Sequence, residues 1–141
     1  MFFWRPRYRE IEGVDPVAFV GGSPRRYGEV HAQTYINLSG TAPAGYPLGL
    51  FLLWRPVSVG GPDEAGIESL FDAIDPLASA VSSFWFDDGS GVAAVALAAW
   101  LVRRRGWEKS RALAATAPKA ALLTKAARAR WFGPAEAPAT R

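Results

Sequence analysis

The sequence predicts an α/β fold with a mainly parallel central sheet flanked by helices. Short apolar runs of strand length alternate with longer segments in which apolar residues recur at helical spacing. The run Leu50–Val57 is almost wholly apolar, which is typical of a central strand covered on both faces. Residues 84–106 pass from an apolar run through a polar, glycine-containing loop into an unbroken apolar segment. That pattern indicates a buried strand, a tight turn and a buried helix.

In the N-terminal half, the sequence predicts an arm, three strands and one short helix. Residues 1–12 form the arm, which contains aromatic residues interrupted by Arg and Pro. Ser23 is expected to cap a short helix that runs to Ala32, because Ser accepts bonds from free helical N–H groups and Pro24 suits the first helical position. The strands are predicted at 16–20, 35–38 and 50–57.

The next part of the chain is predicted to contain two longer helices with a strand between them. The Gly-Gly-Pro-Asp sequence that ends at Asp63 breaks the chain and caps a helix, whose apolar positions recur at helical spacing: Ile67, Leu70, Phe71, Ile74, Leu77 and Ala78. Pro76 is expected to kink or end this helix near Asp75, because proline cannot donate the helical hydrogen bond. A strand at 83–86 and a buried helix at 92–105 follow.

The chain is long enough for one domain with a sizeable core, and we place that domain at residues 13–117. A short helix over 108–115 lies near its end. A basic C-terminal helix is predicted over 118–133, with an apolar stripe of Leu122, Leu123 and Ala126, because Pro marks its start and Gly-Pro its end. Residues 134–141 form a flexible tail.

The segment 84–106 resembles the phosphate-binding loop of the small dual-specificity and tyrosine phosphatases. That family's pattern is a strand ending in His-Cys, five loop residues with glycines, an Arg, and a Ser or Thr that opens a helix. Gly89 and Gly91 match the loop glycines, and Ala-Ala-Trp-Leu at 98–101 matches the helix. Upstream, VAFVGG, TYINLS and LFLLWRPVSV resemble the family's strands in order and spacing. The resemblance covers roughly residues 10–113 and implies the fold of the cysteine-dependent phosphatases.

The departures from this pattern fall on the groups that would perform catalysis. Trp85 stands at the His, Phe86 at the nucleophilic Cys, Val92 at the Arg and Ala93 at the Ser or Thr. The chain contains no cysteine, which excludes a thiol nucleophile, disulfides and thiolate metal sites. A rhodanese-like domain is the nearest alternative fold, but its glycine-rich continuation is absent from this sequence.

The general acid of the family is an Asp expected near Val59, where this chain has none. Asp63 lies a few residues later and would serve only after a loop shift. The resemblance and its departures together predict a pseudophosphatase, without catalytic, metal or cofactor residues, that acts as a protein-interaction or scaffold module. Its degenerate phosphate-binding loop consists of Trp85, Phe86, Asp87, Asp88, Gly89, Ser90, Gly91 and Val92.

The loop leaves two questions open. One alternative is a hydrolase of altered chemistry that uses the carboxylate of Asp63, Asp87 or Asp88. The plainer interpretation of the Asp87-Asp88 pair is a solvated loop that caps the following helix. Phe86 is expected to fill the former pocket, while Trp85 fits either a buried position or an exposed, partner-binding one. His31, the only histidine, is interpreted as a surface or packing residue.

Charge is unevenly placed along the chain. Residues 1–102 carry six Lys or Arg and eleven Asp or Glu, whereas residues 103–141 carry ten and two. The last helix contributes Lys119, Lys125, Arg128 and Arg130, which are able to neutralise nucleic-acid phosphates or anionic lipid. The alternative is that this helix packs on the acidic body of its own domain and balances its charge.

No secretory signal is recognised, because Arg and Pro interrupt the apolar residues of the first eight positions. The longest uncharged apolar run, Val92–Val102, is shorter than the roughly 20 residues that a membrane-spanning helix needs. The sequence therefore predicts a soluble cytoplasmic protein with no transmembrane segment and an unidentified protein partner.

Overall fold

The computed structural model describes residues 8–15, 17–21, 33–38, 51–57, 61–80, 83–87, 92–116 and 124–133. In chain order, the elements are β1 (Tyr8–Ile11), β2 (Val17–Gly21), β3 (Thr34–Asn37), β4 (Phe51–Trp54), α1 (Glu64–Ala80), β5 (Ser83–Asp87), α2 (Ala93–Arg105), α3 (Lys109–Thr116) and α4 (Lys125–Phe132). The predicted helix of residues 24–32 lies outside the described residues. None of the described helices is long and apolar enough to span a membrane.

The five strands form one sheet in the order β1-β2-β5-β3-β4. Strand β5 lies between β2 and β3 and is parallel to both, and β3 is also parallel to β4. Strand β1 is antiparallel to β2 and forms one edge. Its residues were predicted to belong to an N-terminal arm, but Ile11 is buried in the core and holds this segment in the sheet.

Among the described strands, β4 lies at the other end of the sheet, next to β3 alone, so its predicted central position is wrong. The strand has four residues, and its terminal aromatic side chains remain exposed, Phe51 by 54% and Trp54 by 42%. Beyond it, the N–H groups of Arg55 and Val57 still bond to β3 and its continuation. Pro56 lies between them. Because backbone N–H groups alternate in direction along a strand, the nitrogen of Pro56 faces away from β3. Proline has no N–H, so it cannot donate a hydrogen bond to a further strand on that side.

Helix α1 begins as predicted and extends further than predicted. Asp63 caps it: its Oδ1 accepts a 2.8 Å hydrogen bond from the N–H of Gly66. Pro76 was expected to kink or end the helix near Asp75; an end there is wrong, because the helix includes Pro76 and continues to Ala80. Pro76 lies on the exposed side, whereas Ala78, beyond it, is buried in the core. Core packing therefore offsets the hydrogen bond that proline removes.

Helix α2 is the centre of the hydrophobic core. Residues 92–101 are all buried, which agrees with the unbroken apolar pattern of this segment. The helix packs on β2 and β5, with α3 and α4 beside it, while α1 lies along β4 and α4. It ends at Gly106, which has a left-handed backbone with φ 71°.

Helix α4 begins after Thr124, whose hydroxyl accepts a 3.1 Å hydrogen bond from the N–H of Ala127. Its buried side chains are Ala127 and Trp131, one turn apart. The prediction that Ala126 belongs to the buried stripe is wrong: Ala126 is exposed because the phase of the helix turns its neighbour inward. The other predicted members of the stripe, Leu122 and Leu123, lie outside the described residues.

Candidate functional site

The candidate site lies where β5 ends and α2 begins. Because β2, β5, β3 and β4 are parallel, their carboxyl ends meet at the same edge of the sheet. Strand β5 ends at Asp87, and α2 starts six residues later at Ala93. This is the position at which open α/β sheets place anion and substrate sites, since the free N–H groups of a helix start there.

The structure describes only part of the predicted loop. The backbones of Trp85, Phe86 and Asp87 belong to β5, and Phe86 is paired with Val20 of β2 and Ile36 of β3. Residues 88–91 lie outside the described residues, as does His31. The assignment of the whole loop as the vestigial site therefore stays a prediction.

Val92 is the residue of the predicted loop whose side chain the structure describes. It is the N-cap of α2, with an α-like backbone (φ −90°, ψ −20°), and its exposed fraction is 0%. The next residue, Ala93, is equally buried, and the side chain of the N-cap residue Val92 makes no capping hydrogen bond. The start of α2 is thus aliphatic and belongs to the hydrophobic core.

Asp63, the substitute for the general acid considered from the sequence, is engaged elsewhere. Its carboxylate accepts the bond from Gly66 at the start of α1, and its carbonyl oxygen accepts a second, 2.9 Å bond from the N–H of Ile67. The structure gives this carboxylate the capping role that its sequence context also predicted. Across the part of the chain that the structure describes, no cluster of three His, Cys, Asp or Glu is suited to a metal ion.

In the last turn of α2, two arginines bind the acidic face of α1. Arg103 makes a bidentate pair with Glu64, at 2.7 and 3.0 Å, and a 3.1 Å bond to Glu68. Arg104 contacts Glu68 at 2.6 Å, Asp72 at 3.2 Å and also Asp75. The hydrogen bond from Arg103 lowers the pKa of Glu64 below its ordinary value, and the same bond raises the pKa of Arg103.

A hydrogen bond between ring and carboxylate joins the same two helices inside the protein. Nε1 of Trp100, fully buried in α2, donates to Oδ1 of Asp75 at 2.8 Å. Sequence reasoning assigned Trp100 to the helix pattern but did not find its partner. Two features of the sequence could have indicated this partner. Trp100 lies in a helix that is predicted to be buried, so its ring N–H needs an acceptor, and the preceding helix is acidic.

Helix α4 is attached to the domain through both its backbone and its buried tryptophan. The guanidinium of Arg103 donates to the carbonyl oxygens of Trp131, at 2.8 Å, and Arg130, at 3.2 Å. The ring of Trp131 lies against Gly61, where an added Cβ would be 2.9 Å from the indole nitrogen. Of the predicted anion contacts, Lys125, Arg128 and Arg130 are exposed on this helix, and Lys119 lies outside the described residues.

Comparison with known proteins finds similar folds among solved structures. No protein-family model matches the chain, and no curated protein matches it. Solved phosphatase structures do match. TpbA of P. aeruginosa has 14% identity and a TM-score of 0.65, over 85% of this chain and 81% of that chain. Human DUSP28 has 16% identity and a TM-score of 0.62, over 92% of each chain.

Tk-PTP, solved in its active form, has 17% identity and a TM-score of 0.66, over 91% of this chain and 97% of that chain. These neighbours are dual-specificity and tyrosine phosphatases. The chain therefore has the phosphatase-like α/β fold that the sequence resemblance predicted. At this level of identity, the comparison gives the fold and leaves the activity to the residues of the site.

Proposed function

We propose that this protein is a catalytically inactive, phosphatase-like protein that acts as an interaction or scaffold module. The observation that carries the proposal is Val92, a fully buried aliphatic residue at the position where the resemblance places the phosphate-binding Arg.

The nucleophile is missing from the whole sequence. Catalysis in the resembled family requires a cysteine thiolate that attacks phosphorus, and this chain has no cysteine. Phe86 occupies that place at the carboxyl end of β5, with its backbone paired to both neighbouring strands. A phenyl ring has no lone pair to donate to phosphorus, so no covalent phosphoenzyme can form there.

The anion clamp is missing as well. An Arg holds two phosphate oxygens through parallel N–H bonds, and an isopropyl group offers none. Removing one partner of a buried charge pair costs about 2 to 5 kcal/mol, which is enough to abolish useful phosphate affinity. Ala93 adds no hydroxyl at the next position. Asp87 and Asp88 would bring negative charge to the mouth of the loop and repel a phosphate dianion.

The alternative of a hydrolase with altered chemistry has less support. It needs Asp63, Asp87 or Asp88 as an acid or base, and the carboxylate of Asp63 already caps α1. A capping carboxylate is held toward backbone N–H groups rather than toward a substrate. We therefore retain the scaffold function, and we place it in the cytoplasm with a protein partner.

The proposal is tested by incubating the purified full chain with p-nitrophenyl phosphate, beside an Asp87→Asn/Asp88→Asn variant. We expect no turnover above buffer for either protein. Turnover by the native chain that is lost in the variant would refute the inactive assignment and support the carboxylate hydrolase. The scaffold role is tested in parallel by quantitative pull-down from the native source, with a bead-only control. Enrichment of a specific, stoichiometric protein is expected, and its absence counts against the role.

A further inference from the structure

Seven of the described cations of the C-terminal third fall into two sets. The first set, Arg103 and Arg104, faces α1 and pairs with its carboxylates: Glu64, Glu68, Asp72 and Asp75. These four are all the acidic residues of α1. Two arginines of α2 therefore already engage the acidic face of this helix.

The second set consists of exposed cations without a described carboxylate partner: Arg105, Lys109, Arg111, Lys125 and Arg128. Three of them form one row. Lys125 and Arg128 are one helical turn apart on α4, and Phe132 follows on the same face one turn later. The Nζ atom of Lys109, at the start of α3, lies 5.3 Å from the centroid of the Phe132 ring. We call Lys109, Lys125 and Arg128 the cationic stripe.

We propose that the cationic stripe is the docking site for an extended acidic segment of a protein partner. This inference rests on the proposed scaffold function and names the chemistry of its partner. A row of like charges without internal counter-charges attracts an anionic ligand and raises its local concentration. From Lys125 to Phe132, α4 rises about 10 Å, a length that roughly three residues of an extended chain cover. Three or four consecutive positions rich in Asp or Glu therefore match the stripe.

The surroundings of the stripe favour a narrow ligand over a broad one. Glu64, with a side chain 66% exposed, binds the same guanidinium of Arg103 that contacts the end of α4. A DNA duplex or a bilayer covers a wide surface and would meet the Glu64 carboxylate at the C-terminal end of α4. An extended peptide avoids it. One face of the Phe132 ring already carries the Lys109 cation, so this face is not open for stacking on a nucleic-acid base.

The test uses fluorescence anisotropy with the full chain and a short labelled peptide of alternating Glu and Gly. Lys109→Gln, Lys125→Gln and Arg128→Gln are each expected to weaken binding by about threefold, and the triple variant by about 20-fold, because exposed ionic contacts are individually small and nearly additive. Arg111→Gln is the matched control. It lies on α3, makes the same change in charge and faces Trp107, on which its guanidinium stacks at 3.8 Å. We expect its affinity to stay within about twofold of the native chain, by the same reasoning.

The peptide affinity should fall as salt is raised to about 150 mM, where charges are screened beyond about 8 Å. Labelled single- and double-stranded DNA of matched charge, and vesicles containing phosphatidylserine, are measured beside the peptide. The proposal is overturned if the peptide does not bind, if Arg111→Gln weakens it as much as the stripe variants, or if DNA or vesicles bind more tightly. These results leave the inactive site untouched. Conversely, phosphatase turnover refutes the inactive site without altering the peptide titration.

Discussion

The Nε atom of Arg103 donates a 2.8 Å hydrogen bond to the carbonyl oxygen of Trp131. A cation from the end of α2 thus closes the end of α4, where the last carbonyl groups lack helical partners. Because Arg103 also binds Glu64, a single guanidinium connects three helices. The C-terminal helix and the acidic helix α1 are consequently coupled through one side chain, and several predictions about stability depend on it.

Replacing Arg103 with Gln should lower the free energy of unfolding by about 2 to 3 kcal/mol, because hydrogen bonds to a charged group are lost on α1 and α4 together. Urea denaturation measures the change, and hydrogen exchange of residues 125–132 should show faster exchange than in the native chain. Arg105→Gln is the control: Arg105 is exposed and its guanidinium lies 4.7 Å from the centroid of the Trp100 ring, so the substitution should cost only about 0.5 to 1 kcal/mol. Equal losses in the two variants would contradict the coupling.

Stability should depend on the titration of Glu64. Its pKa is held below the ordinary value of 4.5 by the hydrogen bond from Arg103, so the folded state favours the ionised carboxylate. The sign follows from linkage: this contribution is complete above the unfolded pKa and is lost as pH falls through the lower, folded pKa. In thermal melts between neutral and acidic pH, Glu64→Gln should remove part of the acid-side loss. An unchanged pH profile in this variant would show that the pair contributes nothing.

The contact between Gly61 and Trp131 predicts a large effect from a single methyl group. Gly61 has φ +81°, and its added Cβ would lie 2.9 Å from the indole nitrogen. Gly61→Ala should therefore lower the free energy of unfolding by about 3 kcal/mol, combining backbone strain with overpacking. Gly106→Ala is matched in backbone strain, with φ +71° and no atom within 4 Å of the added Cβ, and should cost only about 1 kcal/mol. Chemical denaturation measures the free energy of unfolding of both variants. Equal losses would show that the contact with Trp131 does not add to the cost of the Gly61 substitution.

The bond from Trp100 to Asp75 is a testable part of the core. Trp100→Phe removes the ring N–H and some ring volume, and should lower the free energy of unfolding by about 2 to 3 kcal/mol. Asp75→Asn keeps an acceptor oxygen for the ring but loses the ion pair with Arg104, so it should cost about 1 kcal/mol, still less than the Phe substitution. Urea denaturation of both variants provides the measurement. The assignment fails if Trp100→Phe is neutral.

The sequence predicted the parts of this fold that depend on local pattern. Strand β5 and the buried helix α2 follow from two apolar runs separated by a polar, glycine-containing segment, and the Asp63 cap follows from its place before an amphipathic helix. Strand order did not follow, because an apolar run such as Leu50–Val57 looks the same at the centre and the edge of a sheet. Pro76 misled for a related reason: the burial of Ala78 outweighs the local preference.

From the charge asymmetry, the sequence left open whether the basic helix binds an acidic partner or packs on the acidic body of its own domain. The pairs with α1 come from Arg103 and Arg104, whereas Lys125 and Arg128 of α4 remain exposed. Residue spacing within each helix fixes which side chains share a face, and it does not fix which helices lie together. Similarly, the sequence of α4 did not reveal that Trp131 and Ala127, rather than Ala126, face the core.

The most direct test of the inactive site is a crystal structure determined after soaking in sodium phosphate, with a Phe86→Cys/Val92→Arg variant treated in the same way for comparison. In the native chain we expect no oxyanion against the backbone N–H groups of residues 87–92, because neither a guanidinium nor a thiolate is present to hold or attack it. A phosphate ion seated in that loop of the native chain, bonded to those N–H groups, would contradict the account.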